Sequence, residues 1–317
     1  MARPTDIPFT PELHLRLLLS VDRGHNVQRA VRAAVRPGAR VLDAGTGSGL
    51  LAMVAADAGA AEVVAVDRHH VGMAERIAEH NGFAGRIAFV ESDLVDLDPD
   101  DLGGRFDVLI AMIHTNNPLI DEDRSRLVVD LRRRLGTADC RVVPGEVRYL
   151  ATGCERLDWD LPTESTDLAQ SVETLRGAYG WDFQPLTDAV GDGIAMRAAR
   201  PAKATAAAWR SPTRSGALRF PRSDVRLLTA TEEWTTVDYQ ASTFAGLPDR
   251  VRLTATAAGR LTGVIWTQQL RYAGAPLWTS ESYSPLASPE LVTAGQELTF
   301  VTGARWRATN ILRHHPT

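Results

Sequence analysis

The stretch "ARVLDAGTGSGLLAMVAADAGAAEVVAVD" (residues 39–67) leaves this chain little choice of fold. Val41 and Leu42 close a buried strand, with Asp43 as its last residue. Gly45, Gly47 and Gly49 make a turn, Leu50 to Ala58 reads as a helix, and "EVVAVD" as a second strand ending at Asp67. A strand, a glycine turn, a helix and a second strand at this spacing predict an α/β unit with a parallel sheet. Glycines in such a turn let the backbone bend tightly and let a ligand lie against the main chain without a Cβ in the way.

The glycine spacing narrows the ligand. A dinucleotide fingerprint needs G-x-G-x-x-G, whereas this turn is G-x-G-x-G, with Leu50 in place of the third fingerprint glycine. Asp43 stands just before the turn, where a pyrophosphate would meet a carboxylate. S-adenosylmethionine carries no phosphate, and its sulfonium and ammonium groups tolerate a nearby negative charge. An acidic residue ending the second strand, Asp67, can accept from both ribose hydroxyls. The residues therefore favour S-adenosylmethionine over NAD, and D-A-G-T-G-S-G resembles motif I of class I methyltransferases. Downstream, "GRIAFVESDL" reads as a third strand with an acidic end. The resemblance implies that Asp93 accepts from the adenine amine; an aspartate capping the next turn is the equally open alternative.

The 317 residues suffice for one large or two medium domains. A net charge of -4 gives no basic field for nucleic acid or membrane. "LRRRLG" (131–136) reads as a helix end whose charges suit the dipole. Lys203 is the only lysine, which disfavours Schiff-base chemistry. Cys140 and Cys154 lack paired-motif spacing and read as ordinary thiols of a reducing compartment. The adjacent pairs His69-His70 and His314-His315 do not point together on a helix, so no metal site is expected. With no secretory leader pattern and no membrane-length apolar run, a cytoplasmic setting is expected.

The text changes character near Pro144. All seven tryptophans follow it, from Trp159 to Trp306. Short alternating runs such as "RVVPGEVRYLATG", "RVRLTATAAG" and "LTGVIWTQQLRYAG" predict antiparallel strands. Between them lie a helical stretch, "TDLAQSVETLRGAYGWDF", and the Ala-rich "AMRAARPAKATAAAWR".

These features, in this order, resemble the protein arginine methyltransferase family from about His14 to the end. "RVVPGEVRYLATGCE" is similar to its domain junction, "LRGAYGWDFQPL" to its dimerisation arm, and "GAPLWTSESYSPLASPELVTAGQEL" to its threonine-histidine-tryptophan loop, here reduced to Pro276-Leu277-Trp278. "LHLRLLLSVDRGHNVQRAV" is similar to the cofactor-covering helix, with His14 nine residues before Arg23. The resemblance implies that Arg23 holds the methionyl carboxylate; a solvated helix-face charge is the alternative, as simple packing is for His14. It implies a Rossmann-like class I methyltransferase domain (1–143) with an N-terminal covering helix. A β-barrel-like substrate domain (144–317) follows, with an inserted helical arm at about 165–205 that makes a head-to-tail homodimer.

The loop leaving "FDVLIAMIHTNN" departs from the family. With Asp107 set on the family's strand aspartate, the first of its two substrate-gripping glutamates falls on Met112, and the second close to Asp121. Met112 accepts no useful hydrogen bond, and a buried unpaired guanidinium costs several kcal/mol. The family's Y-F-x-x-Y pair also has no counterpart in "PTDIPFTPEL". Retained fold with an altered acceptor is the expectation. His114, at the pocket mouth with Thr115, Asn116 and Asn117, is a candidate general base with Asp121 as partner; a solvent-exposed loop histidine is equally open. Asn116-Asn117-Pro118 is offset from the N-P-P-Y motif of amino-group methyltransferases and reads as an Asn-Pro turn. Met112, Asn116, His14 and Trp278, an apolar or cation-binding wall, are the candidate acceptor residues.

The expected function is methyl transfer from S-adenosylmethionine to O or N of a small molecule or peptide. The Ala- and Arg-rich composition suggests a high-GC bacterium and secondary metabolism. A protein arginine methyltransferase using Asp121 and Glu122 is one alternative; a cofactor-binding dimer without turnover is another.

Overall fold

A computed structural model describes residues 10–115, 118–156, 168–190, 225–241, 243–303 and 312–314. Two helices, α1 (Pro11–Leu19) and α2 (Val21–Ala34), precede a run of β1 (Arg40–Ala44), α3 (Leu50–Asp57), β2 (Glu62–Asp67), α4 (Val71–His80), β3 (Ala88–Glu91), β4 (Phe106–Ile110), α5 (Pro118–Leu135) and β5 (Gly136–Val143). The five strands form one parallel sheet in the order β3-β2-β1-β4-β5. Parallel strands are covered on both faces, and Val41, Leu42, Val63 to Val66 and Val108 to Ile110 are all buried. Helix α3 is apolar on nearly every side and lies buried in the core, as that pattern demands.

Between β1 and β4 the strand order reverses direction. Such a switch point opens a crevice at the carboxyl ends of the strands. The glycine turn after β1 and the loop after β4 both leave there, so topology alone brings "DAGTGSG" and "AMIHT" together.

Between Val143 and Glu146 the chain passes through a cis Val143–Pro144 bond out of the parallel sheet. The strand β6 (Glu146–Arg156) begins an antiparallel part. After α6 (Leu168–Tyr179) come β7 (Val225–Leu227), β8 (Glu232–Asp238), β9 (Arg250–Thr254), β10 (Gly259–Tyr272), β11 (Ala275–Val292), β12 (Glu297–Val301) and β13 (Arg313–His314). One sheet runs β11-β10-β6-β7 with β8 also on β6, and a second runs β13-β12-β9. Trp266, Tyr149 and Phe300 are fully buried between them, and the Trp234 and Trp266 rings lie 4.9 Å apart. The architecture is thus a Rossmann-like α/β domain followed by a β-barrel-like part.

One expectation needs correction. Pro276-Leu277-Trp278 is not a loop: Trp278 pairs with Leu270 inside the β10–β11 hairpin. The turn falls at Ala273–Gly274, both at positive φ, and pairing resumes at once at Ala275. The helical part of the arm lies against helices of its own chain. Tyr179 Oη donates to the Leu18 carbonyl at 2.6 Å, His25 contacts the Ala178 carbonyl, and Asn81 exchanges two hydrogen bonds with the Asp182 backbone. The remainder of 165–205, including the Ala-rich stretch, lies outside the described residues.

Candidate functional site

The glycine turn is held from below and covered from above. Gly45, Gly47 and Gly49 all have φ between +59° and +80°, a region that strains any residue with a Cβ. The Gly45 and Thr46 amides donate to the Val66 carbonyl, and the Gly47 amide donates to Asp67 Oδ2 at 2.9 Å. Asp67 Oδ1 accepts from the Arg68 and His69 amides. A Cβ at Gly45 would lie 2.5 Å from Ile113 Cγ2, and one at Gly47 would lie 2.7 Å from His14 Cε1. The loop after β4 and helix α1 therefore close onto the turn itself.

Asp43 takes a different place from the one its position in the sequence suggests. It is buried beneath the turn, where the Thr46 hydroxyl donates to Oδ2 at 2.7 Å. Burial pushes its carboxyl up to about 7. Its chemistry is to brace the loop, because a carboxyl without water keeps its charge only through such partners.

Helix α1 brings His14 onto the turn, against Gly47, and Arg23 lies on α2, the helix that follows. His14 is buried on α1, and burial lowers its imidazole to about 4 despite nearby Asp67. Arg23 on α2 has its guanidinium 4.8 Å from the centre of the Trp278 ring, and its buried Nε has no hydrogen-bond partner among the described residues. Burial lowers Arg23 to about 10. Asp93 lies two residues beyond β3, accepts from the Val95 amide and pairs with Arg68 at 3.0 Å.

The loop after β4 is where structure and expectation part most clearly. Met112 is half-buried and packs on the core, and Asn116 lies outside the described residues. His114 is not at a pocket mouth. It is 4% exposed, with Nε2 hydrogen-bonded to the Tyr239 hydroxyl, which also contacts Ser125 Oγ at 2.9 Å. Burial first, then the Arg124 charge, lower its imidazole to about 3. A ring that stays neutral throughout the physiological range is poorly suited to collect a proton near pH 7. Nor does it pair with Asp121: the Asp121 Oδ1 accepts from the Thr115 amide and hydroxyl, and Oδ2 from Gln268 Nε2 at 2.8 Å. Asp121 is fully buried, and burial pushes it up to about 6. Glu122 is also buried; its Oε1 accepts from the Leu247 amide and faces Arg126.

Four residues that sequence reasoning missed complete this seam: Tyr149, Tyr239 and Gln268 from the antiparallel part, and Ser125 from α5. The first three lie in ordinary alternating strand text or just after it, more than a hundred positions from Asp121 in the case of Tyr239 and Gln268. Nothing local marks them. Tyr179, beside α2, was hidden in the arm for the same reason.

The groups assembled at the turn suit an adenosyl amino acid. An unpartnered buried Nε asks for an anion, which a methionyl carboxylate supplies. A ribose can donate to the remaining acceptor capacity of Asp67. No helix described is long and apolar enough to cross a membrane, and no group of three metal-ligating side chains gathers among the described residues.

The family described as ribosomal protein L11 methyltransferase (PrmA) matches residues 27–121. The ribosomal protein L11 methyltransferase of Pelotomaculum thermopropionicum is 42% identical over 87 residues, 27% of this chain and 27% of that protein. The arginine N(omega)-methyltransferase of Streptomyces achromogenes subsp. streptozoticus is 33% identical over 141 residues, 44% of this chain and 39% of that protein. The chain thus spans well under half the length of these relatives. Among solved structures, PRMT6 aligns over 95% of this chain and 97% of its own, with TM-score 0.61 and 13% identity. The Trypanosoma brucei PRMT1 enzyme-prozyme complex with AdoHcy aligns over 88% and 83%, with TM-score 0.57 and 18% identity. These likenesses show the fold: a Rossmann-like α/β domain joined to a barrel, as in the solved protein arginine methyltransferase structures.

Proposed function

We propose that this protein is an S-adenosylmethionine-dependent methyltransferase acting on O or N of a small-molecule or peptide acceptor that carries no guanidinium charge. The observation that carries the reading is the unpartnered, buried Nε of Arg23 on α2, the helix after the one whose His14 closes on a glycine turn latched by Asp67. The bound cofactor would supply an electrophilic methyl group on sulfur. Arg23 holds its carboxylate, Asp67 its ribose and, beyond β3, Asp93 its adenine amine. Asp43 braces the turn, and His14 and Ile113 close over it and keep water out. His114, neutral and tied to Tyr239, shapes the loop after β4. Met112 and Trp278 border the acceptor, and catalysis rests on positioning.

The acceptor class follows from the carboxylates. Both oxygens of Asp121 are satisfied within the chain, and Glu122 accepts from the Leu247 amide and faces Arg126. A guanidinium with five donors would find no ready partner there. The second reading, arginine as acceptor, draws on the arginine methyltransferase named among the relatives. It requires Asp121 to exchange its present partners for the substrate.

Finer readings rest on less. Division into domains at 143/144 is supported by the change of sheet there. A head-to-tail homodimer through 165–205 draws on the resemblance, and an arm exchanged between copies would reuse the Tyr179, His25 and Asn81 contacts. Two buried free thiols accord with a cytoplasmic setting, and composition with bacterial secondary metabolism.

The test is incubation with methyl-labelled S-adenosylmethionine and a panel of acceptors, preceded by calorimetry. Label in a neutral small molecule or peptide is expected. Label in free or peptidyl arginine moves the conclusion to the second reading. No affinity for the cofactor removes both.

A further inference from the structure

Gln268 is the least expected member of the seam. It sits in the middle of β10, 1% exposed, in register with Tyr149 on β6 and Ser280 on β11. Its Nε2 donates to Asp121 Oδ2 at 2.8 Å, while its Oε1 accepts from Ser280 Oγ at 3.4 Å. The Tyr149 hydroxyl faces Gln268 and Ser125. Among the described residues, the groups that reach Asp121 from the barrel side are therefore neutral. The charge near Asp121 is already matched from its own helix, where Arg124 reaches round to the Ile113 carbonyl and interacts with the Asp121 carboxylate.

A carboxylate oxygen turned toward the barrel is what a cationic acceptor entering this seam would need. Here a primary carboxamide holds that oxygen. An amide N–H donates one good hydrogen bond without charge, so it satisfies the carboxylate while leaving no net attraction for a cation. A second guanidinium beside Arg124 would be a buried charge with no counter-ion, which is strongly unfavourable.

We propose that Gln268 determines acceptor specificity: its carboxamide occupies Asp121 in place of a cationic acceptor group, so the site admits neutral hydrogen-bonding acceptors such as a hydroxyl, an amide or an uncharged ring nitrogen. This rests on the reading above that a guanidinium acceptor would have to find its partner at Asp121. Replacing the amide by a carboxylate converts the pair into a two-acid clamp, with one acid from each domain.

The test uses the full chain with methylguanidine as the cation probe, read by thermal shift and calorimetry with and without S-adenosylhomocysteine. The wild type is expected to show no methylguanidine-dependent rise in Tm. Q268E is expected to have a lower Tm alone, raised by methylguanidine, with binding about tenfold or more tighter than wild type. Adding D121N to Q268E is expected to abolish that gain. Q268A, which vacates Asp121 without adding charge, is expected to show a smaller gain and serves if Q268E does not fold. Equal binding to wild type and variants, or a gain that survives D121N, overturns the proposal. Failure of the homocysteine to bind wild type overturns the cofactor reading instead, and the methylguanidine series without it still decides the role of Gln268.

Discussion

The Arg23 guanidinium lies over the Trp278 ring, 4.8 Å from its centre, with a buried Nε that has no hydrogen-bond partner among the described residues. A buried cation with an unmatched N–H is a cost to the empty protein and an asset once an anion arrives. Arg23→Met should therefore raise Tm without cofactor, by about 1–3 kcal/mol in stability, while weakening S-adenosylhomocysteine at least tenfold. Melting curves and calorimetry on the same sample measure both. A parallel fall in stability and affinity would mark Arg23 as a packing residue.

His114 should remain neutral. With burial lowering its pKa to about 3, its ring carbon-proton signals should not titrate between pH 5 and pH 8. An NMR inflection near 6.5 would restore the general base. Tyr239→Phe leaves Nε2 buried without its hydroxyl partner and should cost about 1–3 kcal/mol of stability, with no new inflection in the pH–rate profile.

Asp43 makes a prediction with a definite sign. Its pKa is raised from 3.8 to about 7 by burial, so between those values the folded state binds more protons than the unfolded one. The stability of the protonated form is complete below about pH 4, and is lost as pH rises toward 7. His14 and His114, lowered to about 4 and about 3, act oppositely: their folded forms resist protons, so stability rises with pH toward 6.5. Asp121, pushed up to about 6, acts with Asp43, so the two acids and the two histidines largely offset one another, and the difference exposes each part. Wild type minus Asp43→Asn should fall by a few kcal/mol from pH 4 to pH 7 and be level above it.

Gly47→Ala places a methyl 2.7 Å from the His14 ring at φ +59°. The backbone strain alone is about 1–2 kcal/mol, and α1 must also retreat. Loss of cofactor affinity together with faster amide exchange across residues 11–19 is the expected outcome.

Gly24→Ala puts a Cβ 2.0 Å from Tyr179 Oη. The arm helix must then lift from α2, one residue from Arg23. Hydrogen exchange in 168–190 should accelerate, stability should fall by about 1–3 kcal/mol, and cofactor affinity should drop with it. Unchanged protection of 168–190 would show that the arm does not rest on α2 in solution.

The glycine turn was legible because its constraints are local. Positive φ at Gly45, Gly47 and Gly49, a buried apolar strand before them and an acid closing the next strand are all written within residues 39–67. The same holds for the parallel order of the first half and the alternating strands of the second. The resemblance puts Trp278 in a loop, and a short Pro-Leu-Trp run carries no sign of its own that pairing with β10 continues through it.

Local sequence, by itself, decided the strand, glycine turn, helix and strand of residues 39–67, and that the turn after Asp43 lacks the dinucleotide spacing. Only the tertiary structure decided the protonation of His114, the brace under Asp43, the covering of Asp121 by Gln268 and the resting place of the arm. Those depend on desolvation and on partners brought from distant strands, and neither is a property of any window of neighbouring residues.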